Sequence, residues 1–314
     1  MVGSHLADYI VTDHPDVDVH GLIRWRSPTD NIRHLGNRIA LHHGDLGDLS
    51  SLVRLLNAIE PDRIFHLAAQ SYVTTSFDAP ADTLSTNLIG TTNLLEAIRI
   101  TRLDPLVHVC SSSEVYGQVQ ESDLPITEVA PLRPASPYAV SKVGEDMIAY
   151  QYGLSYGLKI LRTRMFTHTG PRRGDVFAES AFAKQIAQIE AGVLEPPIRV
   201  GNLDSVRTFA DVRDAVRAYW LLLEKCEPGS VFNIGGNRTA TIGEVLEILK
   251  GLASLPIEHV VDPDLLRPSD VTLQVPDVSR FTAASGWSPT IKLEQTLSDL
   301  LAYQRDRVRR EMNA

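Results

Sequence analysis

Apolar and polar positions alternate along this chain with two different periods. The opening segment MVGSHLADYI places apolar residues at helical spacing, and we predict a helix that begins near Gly3. Ser4, His5 and Asp8 fall on the opposite face of that helix. The next runs, VDVHGLI and RIALHHGDL, have the composition of strands. Helical and strand-like segments that follow one another in this way predict a parallel sheet with helices on both faces.

The same alternation continues to the middle of the chain. DLSSLVRLLNAIEP, residues 82–100 and SPYAVSKVGEDMIAYQYGLSYG are predicted helices, whereas RIFHLAA, PLVHVCSSS and LKILRTRMF are predicted strands. Asp48 and Ser136 stand where N-cap residues are expected, and Pro137 fits the first helical position.

The pattern changes after Gly170. Loops rich in Pro, Gly and Arg, such as GPRRGD and LEPPIRVGNLDS, separate shorter elements, and Thr241 with Glu244 forms a capping box. We therefore expect an α/β fold with a doubly wound parallel sheet in residues 1–170. A smaller α/β lobe is expected mainly in residues 171–314, with some segments that return to the first domain.

Composition excludes several classes of protein. The 314 residues carry a formal net charge of −9, which argues against nucleic acid or an anionic membrane as the main partner. No apolar run reaches the length of a membrane span, and no signal-like segment opens the chain, so we expect a cytoplasmic protein. Cys110 and Cys226 are too few for a disulfide framework or a Cys-rich metal site, and we expect no metal.

Tyr138 and Lys142 lie four residues apart on a predicted helix, so their side chains share one face. Ser112, Ser113 and Glu114 stand at the carboxyl end of a predicted strand, the edge at which open α/β sheets bind ligands. A tyrosine works as an acid or base near neutral pH when a nearby ammonium stabilises its phenolate. Although Tyr-x-x-x-Lys alone is a weak motif, the hydroxyl-bearing strand end before it favours a catalytic site over two ordinary surface residues.

The three consecutive serines also raise the possibility of a hydrolase. A nucleophile elbow of the Gly-x-Ser-x-Gly type is absent from the sequence, and no Asp and His follow in a triad context. We therefore reject the hydrolase interpretation.

Several longer motifs carry a resemblance to a known family. The chain resembles extended short-chain dehydrogenases/reductases of the epimerase/dehydratase family that act on nucleotide sugars, among them the GDP-mannose 4,6-dehydratases and, more closely, the GDP-4-keto-6-deoxy-mannose reductases. The resemblance implies a Rossmann-type fold and hydride transfer with a nicotinamide cofactor. It implies catalytic roles for Ser112, Glu114, Tyr138 and Lys142. The motifs that carry it are HGDLGD, HLAAQSYV, TNLIGTTNLLEA, SSSEVYG, SPYAVSK, GPRRG, VGNLDSVRTFADVRDAVRAYW and LLRPSDV.

The N-terminal segment departs from the pattern of that family, whose members begin with a strand and a Gly-x-x-Gly-x-x-Gly turn. MVGSHL matches the end of the turn, with Gly3 as its third glycine, and the first strand and first two glycines are absent from this sequence. We expect either a start codon assigned about a dozen residues late or a truncated form. The chain as written is expected to bind its cofactor weakly, because those glycines approach the pyrophosphate.

The choice between the two nicotinamide cofactors depends on the end of the second family strand. VHGLIRWRS has Arg24, Arg26 and Ser27 there in place of an acidic residue, and these side chains favour the 2′-phosphate of NADP over NAD. The resemblance assigns further cofactor contacts to Gly3, Asp45, Leu46, Ala68, Ala69, Gln70, Ser111, Tyr138 and Lys142.

The resemblance also implies a GDP-linked sugar as substrate. Arg207 and Arg267 match arginines that face the nucleotide diphosphate, and Asp270 is placed to accept hydrogen bonds from guanine. Thr167 stands where the family usually has Asn, and Ala181 replaces a lysine of the dehydratases, so the sugar contacts differ from the pattern. Ser112 and Ser113 complete the expected substrate contacts. A homo-oligomer, either a dimer or a tetramer, is expected.

Three functions stay open at this point. A 4-keto reductase needs hydride delivery and a proton from Tyr138, with Ser112 polarising the carbonyl. A 4,6-dehydratase needs a further acid and base, and Glu114 is placed for that role. Ala181 and the motifs VRTFADVRDAVRAYW and LRPSDV resemble the reductases more closely and so favour that activity. The third alternative, of another class, is a truncated homologue without catalysis.

Overall fold

The computed structural model describes residues 1–266 and 271–313. The strands are β1 (His20–Ile23), β2 (Ala40–His43), β3 (Arg63–His66), β4 (Leu106–Ser112), β5 (Ile160–Met165), β6 (His168–Thr169), β7 (Ile198–Val200), β8 (Val206–Asp211), β9 (Val231–Ile234), β10 (Arg238–Thr241), β11 (His259–Val261) and β12 (Leu273–Gln274). The α-helices are α1 (Val2–Asp13), α2 (Leu49–Ile59), α3 (Val73–Asp78), α4 (Pro80–Leu84), α5 (Gly90–Thr101), α6 (Pro137–Tyr156), α7 (Ala178–Glu190), α8 (Val212–Lys225), α9 (Ile242–Gly251), α10 (Ser279–Ser285) and α11 (Leu293–Met312).

A parallel sheet in the order β3–β4–β5–β9 forms the centre of the molecule. Val107 and Val109 on β4 are completely buried, as expected for a strand with helices on both faces. β1 and β2 form a separate parallel pair. Among the described strands, no backbone ladder joins this pair to β3.

Helices pack on both faces of the central sheet. On one face, α2, α5 and α6 share an apolar core with β4 and the start of β5. On the other face, α1 packs against α8 through Leu6, Ile10, Val216 and Trp220. The prediction of a doubly wound parallel α/β fold is therefore confirmed.

A further apolar core lies among the later elements. α7, α9 and α11 pack on one another and on β7, with Ile186, Leu249 and Leu297 completely buried between them. β8 pairs with β10 on one side and with β12 on the other. Within the described residues, no helix combines the length and apolarity that a bilayer crossing requires.

The predicted helix starts are confirmed in detail. Asp48 accepts hydrogen bonds from the backbone of the first turn of α2, and Ser136 caps α6. Thr241 and Glu244 form the reciprocal capping box of α9. Each of these side chains satisfies backbone N–H groups that have no partner inside the helix.

The opening helix, α1, begins close to Gly3, as predicted, but is covered on its polar face as well. His5 donates to the carbonyl oxygen of Pro171 at 2.9 Å. The Arg172 guanidinium donates to Ser4 at 3.2 Å and to Asp8 at 2.6 Å. Ser4 and His5 are therefore buried, because the loop after β6 packs on them.

The predicted helix over residues 82–100 contains a wider π-type turn at Ser85–Ile89, between α4 and α5. Turns of this kind are frequent at functional sites. This one contains the buried Asn87, whose side chain donates to Ser141 of α6 at 2.8 Å. The turn thereby connects α4 and α5 to the helix that carries Tyr138.

Candidate active site

Tyr138 and Lys142 are both buried near the start of α6. The Ser136 hydroxyl accepts from the Ala139 N–H at 3.1 Å, which fixes the helix start two residues before the tyrosine. The Lys142 ammonium donates to the carbonyl oxygen of Cys110 on β4 at 2.6 Å. The start of α6 and the end of β4 are thus held against each other.

The last residues of β4 present their hydroxyl groups to the same place. Ser111 donates to the carbonyl oxygen of Lys142 at 3.2 Å. The Ser112 hydroxyl accepts from the Glu114 N–H at 3.2 Å and so caps the 3₁₀ turn Ser113–Tyr116. The structure therefore brings Ser111, Ser112, Tyr138 and Lys142 together, as the sequence predicts.

Electrostatics at Tyr138 combine opposing effects. Burial raises the pKa of its phenol, whereas the Lys142 ammonium and a hydrogen bond with Ser112 act to lower that pKa. A phenol in this setting stays protonated at neutral pH, and its phenolate has a positive charge close by. The group is therefore suited to give a proton to a substrate oxygen.

Gln274 of β12 belongs to this site, although the sequence analysis did not single it out. The Ser113 hydroxyl donates to its Oε1 at 2.7 Å, and its Nε2 lies 3.5 Å from Oε1 of Glu114. Ser113 and Glu114 are therefore oriented by a strand of the second half of the chain. No local motif marks Gln274, because β12 has only two residues.

Arg173 is a second site residue that the analysis missed. It lies in the GPRRG motif, and its charge interacts with Tyr138, while burial lowers the pKa of its guanidinium. The guanidinium stacks on Phe177 and lies 3.5 Å from the Glu179 carboxylate. Within the described residues its Nε is buried without a hydrogen-bond partner. The available signal was the GPRRG motif itself, which is one of those that carry the family resemblance.

Ala68, Ala69 and Gln70 follow β3 in a loop beside the start of α6. The Gln70 N–H donates to Oδ1 of Asn87 at 2.7 Å, and the Asn87 amide donates back to the Gln70 carbonyl at 3.0 Å. Since Asn87 also contacts Ser141, this loop is fixed relative to Tyr138 and Lys142.

A cavity of about 600 Å³ opens at the ends of β1 and β2. Arg24, Arg26 and Ser27 line it, and Asp45 lies on its other side. The Arg26 guanidinium stacks on the exposed ring of Trp25, 4.1 Å from the ring centre. The structure thus gathers the residues predicted for a 2′-phosphate around one open, polar cavity.

One further arginine lines this cavity. Arg54 of α2 also lines it and adds a third guanidinium that the sequence analysis did not select. The Asp45 carboxylate accepts from the Gly47 N–H at 2.8 Å. Leu46 next to it points into the core under α2 and α5, and its carbonyl accepts from Asn93 at 2.7 Å. Asp48 also lines the cavity, and its carboxylate accepts from backbone N–H groups of α2. Three guanidinium groups over two engaged carboxylates fit a phosphate-bearing ligand.

Gly3 lies in the first turn of α1, and a Cβ there would meet open space. Positive charge gathers beside it, because Arg172 and Arg173 lie near the amino group of Met1. Burial and these two arginines lower the pKa of that amino group. The open space beside Gly3 and the two arginines nearby suit an anion.

The remaining predicted substrate residues lie in separate segments of the chain. The Thr167 carbonyl accepts from the Ala210 N–H at 2.9 Å, which places Thr167 beside β8. Arg207 is buried on β8 and donates to the Val206 carbonyl at 3.1 Å. Arg267 and Asp270 lie outside the described residues.

A doubly wound parallel sheet with serine, tyrosine and lysine gathered at the carboxyl end of a central strand defines a short-chain dehydrogenase/reductase. The chain belongs, within that class, to the GDP-mannose 4,6 dehydratase family, whose model matches residues 1–300. The resemblance stated from the sequence is confirmed.

Two curated relatives represent the two candidate activities, reductase and dehydratase. The GDP-6-deoxy-D-mannose reductase of Pseudomonas aeruginosa is 37% identical over 270 residues, which cover 86% of this chain and 88% of the relative. The GDP-mannose 4,6-dehydratase of Yersinia enterocolitica is 33% identical, over 96% of this chain and 90% of the relative. Identity therefore favours the reductase, while coverage is higher for the dehydratase.

The solved structures agree on the fold. The structure of RMD from Pseudomonas aeruginosa complexed with NADPH superposes with a TM-score of 0.83 at 34% identity, covering 98% of this chain and 96% of that one. A UDP-glucose 4-epimerase from Thermotoga maritima superposes with a TM-score of 0.87 at 26% identity, over 98% of this chain and 96% of that one.

Proposed function

We propose that this protein is an NADP-dependent reductase of the 4-keto group of GDP-4-keto-6-deoxy-mannose. The observation that carries the proposal is the buried Tyr138 phenol beside Lys142 and the hydroxyl-bearing end of β4. The 37% identical reductase of Pseudomonas aeruginosa supports the choice of substrate.

The proposed reaction divides the work between the cofactor and the side chains. NADPH, when bound, supplies the hydride that reaches C4 of the sugar. Ser112 donates a hydrogen bond to the keto oxygen, and Tyr138 transfers its proton to that oxygen as negative charge develops there. Lys142 stabilises the phenolate that remains. We assign Ser113, Thr167, Arg207, Arg267 and Asp270 to the nucleotide sugar.

We assign the cofactor to the cavity at β1 and β2 and to the end of β4. Arg24, Arg26 and Arg54 are suited to the 2′-phosphate, since charge-assisted hydrogen bonds from guanidinium groups favour phosphate oxygens. The NADPH complex of the structural relative supports NADP as the cofactor. In this proposal residues 1–170 hold the cofactor and residues 171–314 mainly hold the substrate, within a cytoplasmic enzyme.

A second candidate function is the 4,6-dehydratase, and Glu114 is the observation that favours it. Its carboxylate lies at the site, 3.5 Å from Gln274. A carboxylate there is placed to remove the C5 proton, which the reductase reaction does not require.

Self-association is also proposed. Apolar side chains are exposed on the π-type turn, on α5 and on α6, which pack on one another, and we infer that they form one face that a second copy of the chain covers. Light scattering after gel filtration tests this, and a dimer that Leu154→Glu converts to a monomer is the expected result. The residues of that face are Ile89, Ile100, Val140, Met147 and Leu154.

Two assays run in parallel test the function. The protein is mixed with NADPH and GDP-4-keto-6-deoxy-mannose, and oxidation of NADPH is followed by its absorbance. In parallel it is mixed with NADP and GDP-mannose, and formation of the 4-keto sugar is followed. Turnover in the first assay alone supports the reductase, and turnover in the second alone supports the dehydratase. No turnover in either assay by a folded protein supports the non-catalytic alternative.

A further inference from the structure

Glu145 is a buried carboxylate that the proposed reaction does not use. It lies three residues after Lys142 on α6, and its Oε2 accepts from the Lys142 Nζ at 2.7 Å. The two side chains are 1% and 4% exposed. The Cys110 carbonyl accepts from the same Nζ at 2.6 Å. Two of the three N–H groups of the ammonium are therefore engaged, one by β4 and one by Glu145 of the same helix.

The neighbouring carboxylate, Asp146, has a different set of partners. Its two oxygens accept from Arg162 and Arg164 of β5, each at 2.7 Å. These bonds attach α6 to β5. Glu145 is thus a second, adjacent buried acid whose contact is with the lysine of the site rather than with the arginines of the sheet.

Burial of a carboxylate is costly, and an ion pair repays that cost only in part. Burial raises the pKa of Glu145 to about 7, and the Lys142 ammonium opposes the rise. The same carboxylate raises the pKa of the Tyr138 phenol, against the effect of Lys142. The negative charge of Glu145 and the positive charge of Lys142 therefore act on Tyr138 in opposite directions.

We propose that Glu145 is a positioning residue that holds the Lys142 ammonium against β4 and offsets its charge, and thereby sets the pH range in which Tyr138 is a proton donor. The inference rests on the proposed role of Tyr138. With Glu145 ionised, the phenol keeps its proton to a higher pH than a lysine alone would permit, which suits an enzyme that protonates its substrate.

The other groups around the pair leave this effect in place. His66 on β3 and His108 on β4 are held neutral, because burial lowers the pKa of each to about 3. Asp146 is neutralised by its two arginines. Among the described residues, the other titratable groups near the pair or the site include Cys110, Arg173, Tyr219 and Glu114.

The first experiment compares pH profiles of NADPH oxidation for the unaltered protein and Glu145→Gln. Glutamine keeps the shape and removes the charge, so the alkaline limb of the rate, where Tyr138 loses its proton, should move to lower pH by on the order of one pH unit. Glu190→Gln is the matched control, since Glu190 pairs with Arg305 on α11. The alkaline limb of the pH profile of this variant should coincide with that of the unaltered protein. An unmoved limb in Glu145→Gln, or a limb moved to higher pH, overturns the proposal.

A second measurement does not depend on turnover. The ultraviolet absorbance of tyrosinate is titrated in the protein and in Tyr138→Phe, and the difference isolates Tyr138. The same difference is taken in the Glu145→Gln background, where ionisation of Tyr138 should occur at lower pH. Glu145→Asp, which keeps the charge but withdraws it from Nζ, should give a smaller shift in the same direction and serves if the glutamine variant does not fold. A shift in absorbance without turnover in any variant supports the role of Glu145 and contradicts the proposed reaction instead, whereas no shift overturns the inference.

Discussion

The Arg164 guanidinium donates to the Asp146 carboxylate at 2.7 Å in the buried contact between β5 and α6. Arg162 donates to the other oxygen of the same carboxylate at an equal distance. Removal of the acid leaves two buried guanidinium groups without their counter-charge. Because such removal costs about 3–5 kcal/mol, Asp146→Asn should lower the free energy of unfolding by that amount.

Urea unfolding followed by circular dichroism measures this change. Asp306→Asn is the control, since its partner Arg310 is exposed on the same helix, α11. Pairs of that kind contribute about 0–1 kcal/mol. Equal losses in the two variants would show that the buried contact does not hold α6 on the sheet.

Tyr138→Phe should reduce turnover by at least about 10²–10⁴-fold, because phenylalanine fills the same space and has no proton to give. The dissociation constant of NADPH should stay nearly unchanged. Steady-state kinetics and fluorescence titration measure the two quantities. Tyr150→Phe, on the exposed face of α6, is the control and should keep full activity. A Tyr138 variant with most of its kcat would place the proton donor elsewhere.

Glu114→Gln distinguishes the two candidate reactions. A reductase should keep its rate within about tenfold, whereas a dehydratase should lose about 10²–10⁴-fold through the missing base. Both assays are run on the variant and on Glu121→Gln, an exposed acid a few residues later. A large loss of 4-keto reduction in Glu114→Gln would contradict the role given to Tyr138 as the sufficient acid.

Arg24→Ala tests the cofactor assignment. Loss of one charge-assisted hydrogen bond costs about 1.5–3 kcal/mol, so NADP affinity should fall by about 10–100-fold while NAD affinity stays nearly constant. Calorimetric titration of both cofactors measures this. Arg33→Ala is the control, because Arg33 pairs with Asp30 and does not line the cavity. Equal or tighter binding of NAD by the unaltered protein would refute the preference for NADP.

Acid should destabilise the fold through its buried histidines. Burial lowers the pKa of His66, His108 and His168 to about 3, below the ordinary value of 6.5. Unfolded histidines take up protons first as the pH falls, so stability is complete above pH 6.5 and is lost progressively toward pH 3. His108→Gln should flatten the fall of melting temperature with pH, whereas His259→Gln on exposed β11 should not. Parallel curves for all three proteins would contradict this account.

Local signals in the sequence were sufficient for much of the fold. Caps such as Asp48 and Ser136 act within one helical turn, and alternating strands and helices admit few arrangements. The pair Tyr138 and Lys142 was also visible, since one helix carries both. Each of these features depends on residues that are close together in the chain, so the sequence alone predicts it.

Contacts between segments that are far apart in the chain could not be predicted from the sequence in the same way. Gln274 reaches Ser113 across 161 positions, and Arg54 reaches the cavity from a helix whose pattern shows only its apolar face. Helical spacing alone does not reveal that Glu145 of α6 is buried. The burial of His5 depends on a loop 166 residues away.

The separation between the β1–β2 pair and the central sheet has a mechanical consequence. The cavity belongs to the smaller pair, while Tyr138 and Lys142 lie on α6 against the larger sheet. The described contacts between the two parts come from side chains, such as Val19 and Phe65 packed against α1 and the Asn93 amide that donates to the Leu46 carbonyl. In the proposed function, a dinucleotide would contact the arginines with its 2′-phosphate and Lys142 with its nicotinamide end. It would therefore connect the β1–β2 pair to the central sheet. Cofactor binding would then stabilise the position of the two sheets relative to each other. The cofactor would thus stabilise the folded protein as well as act as its reductant.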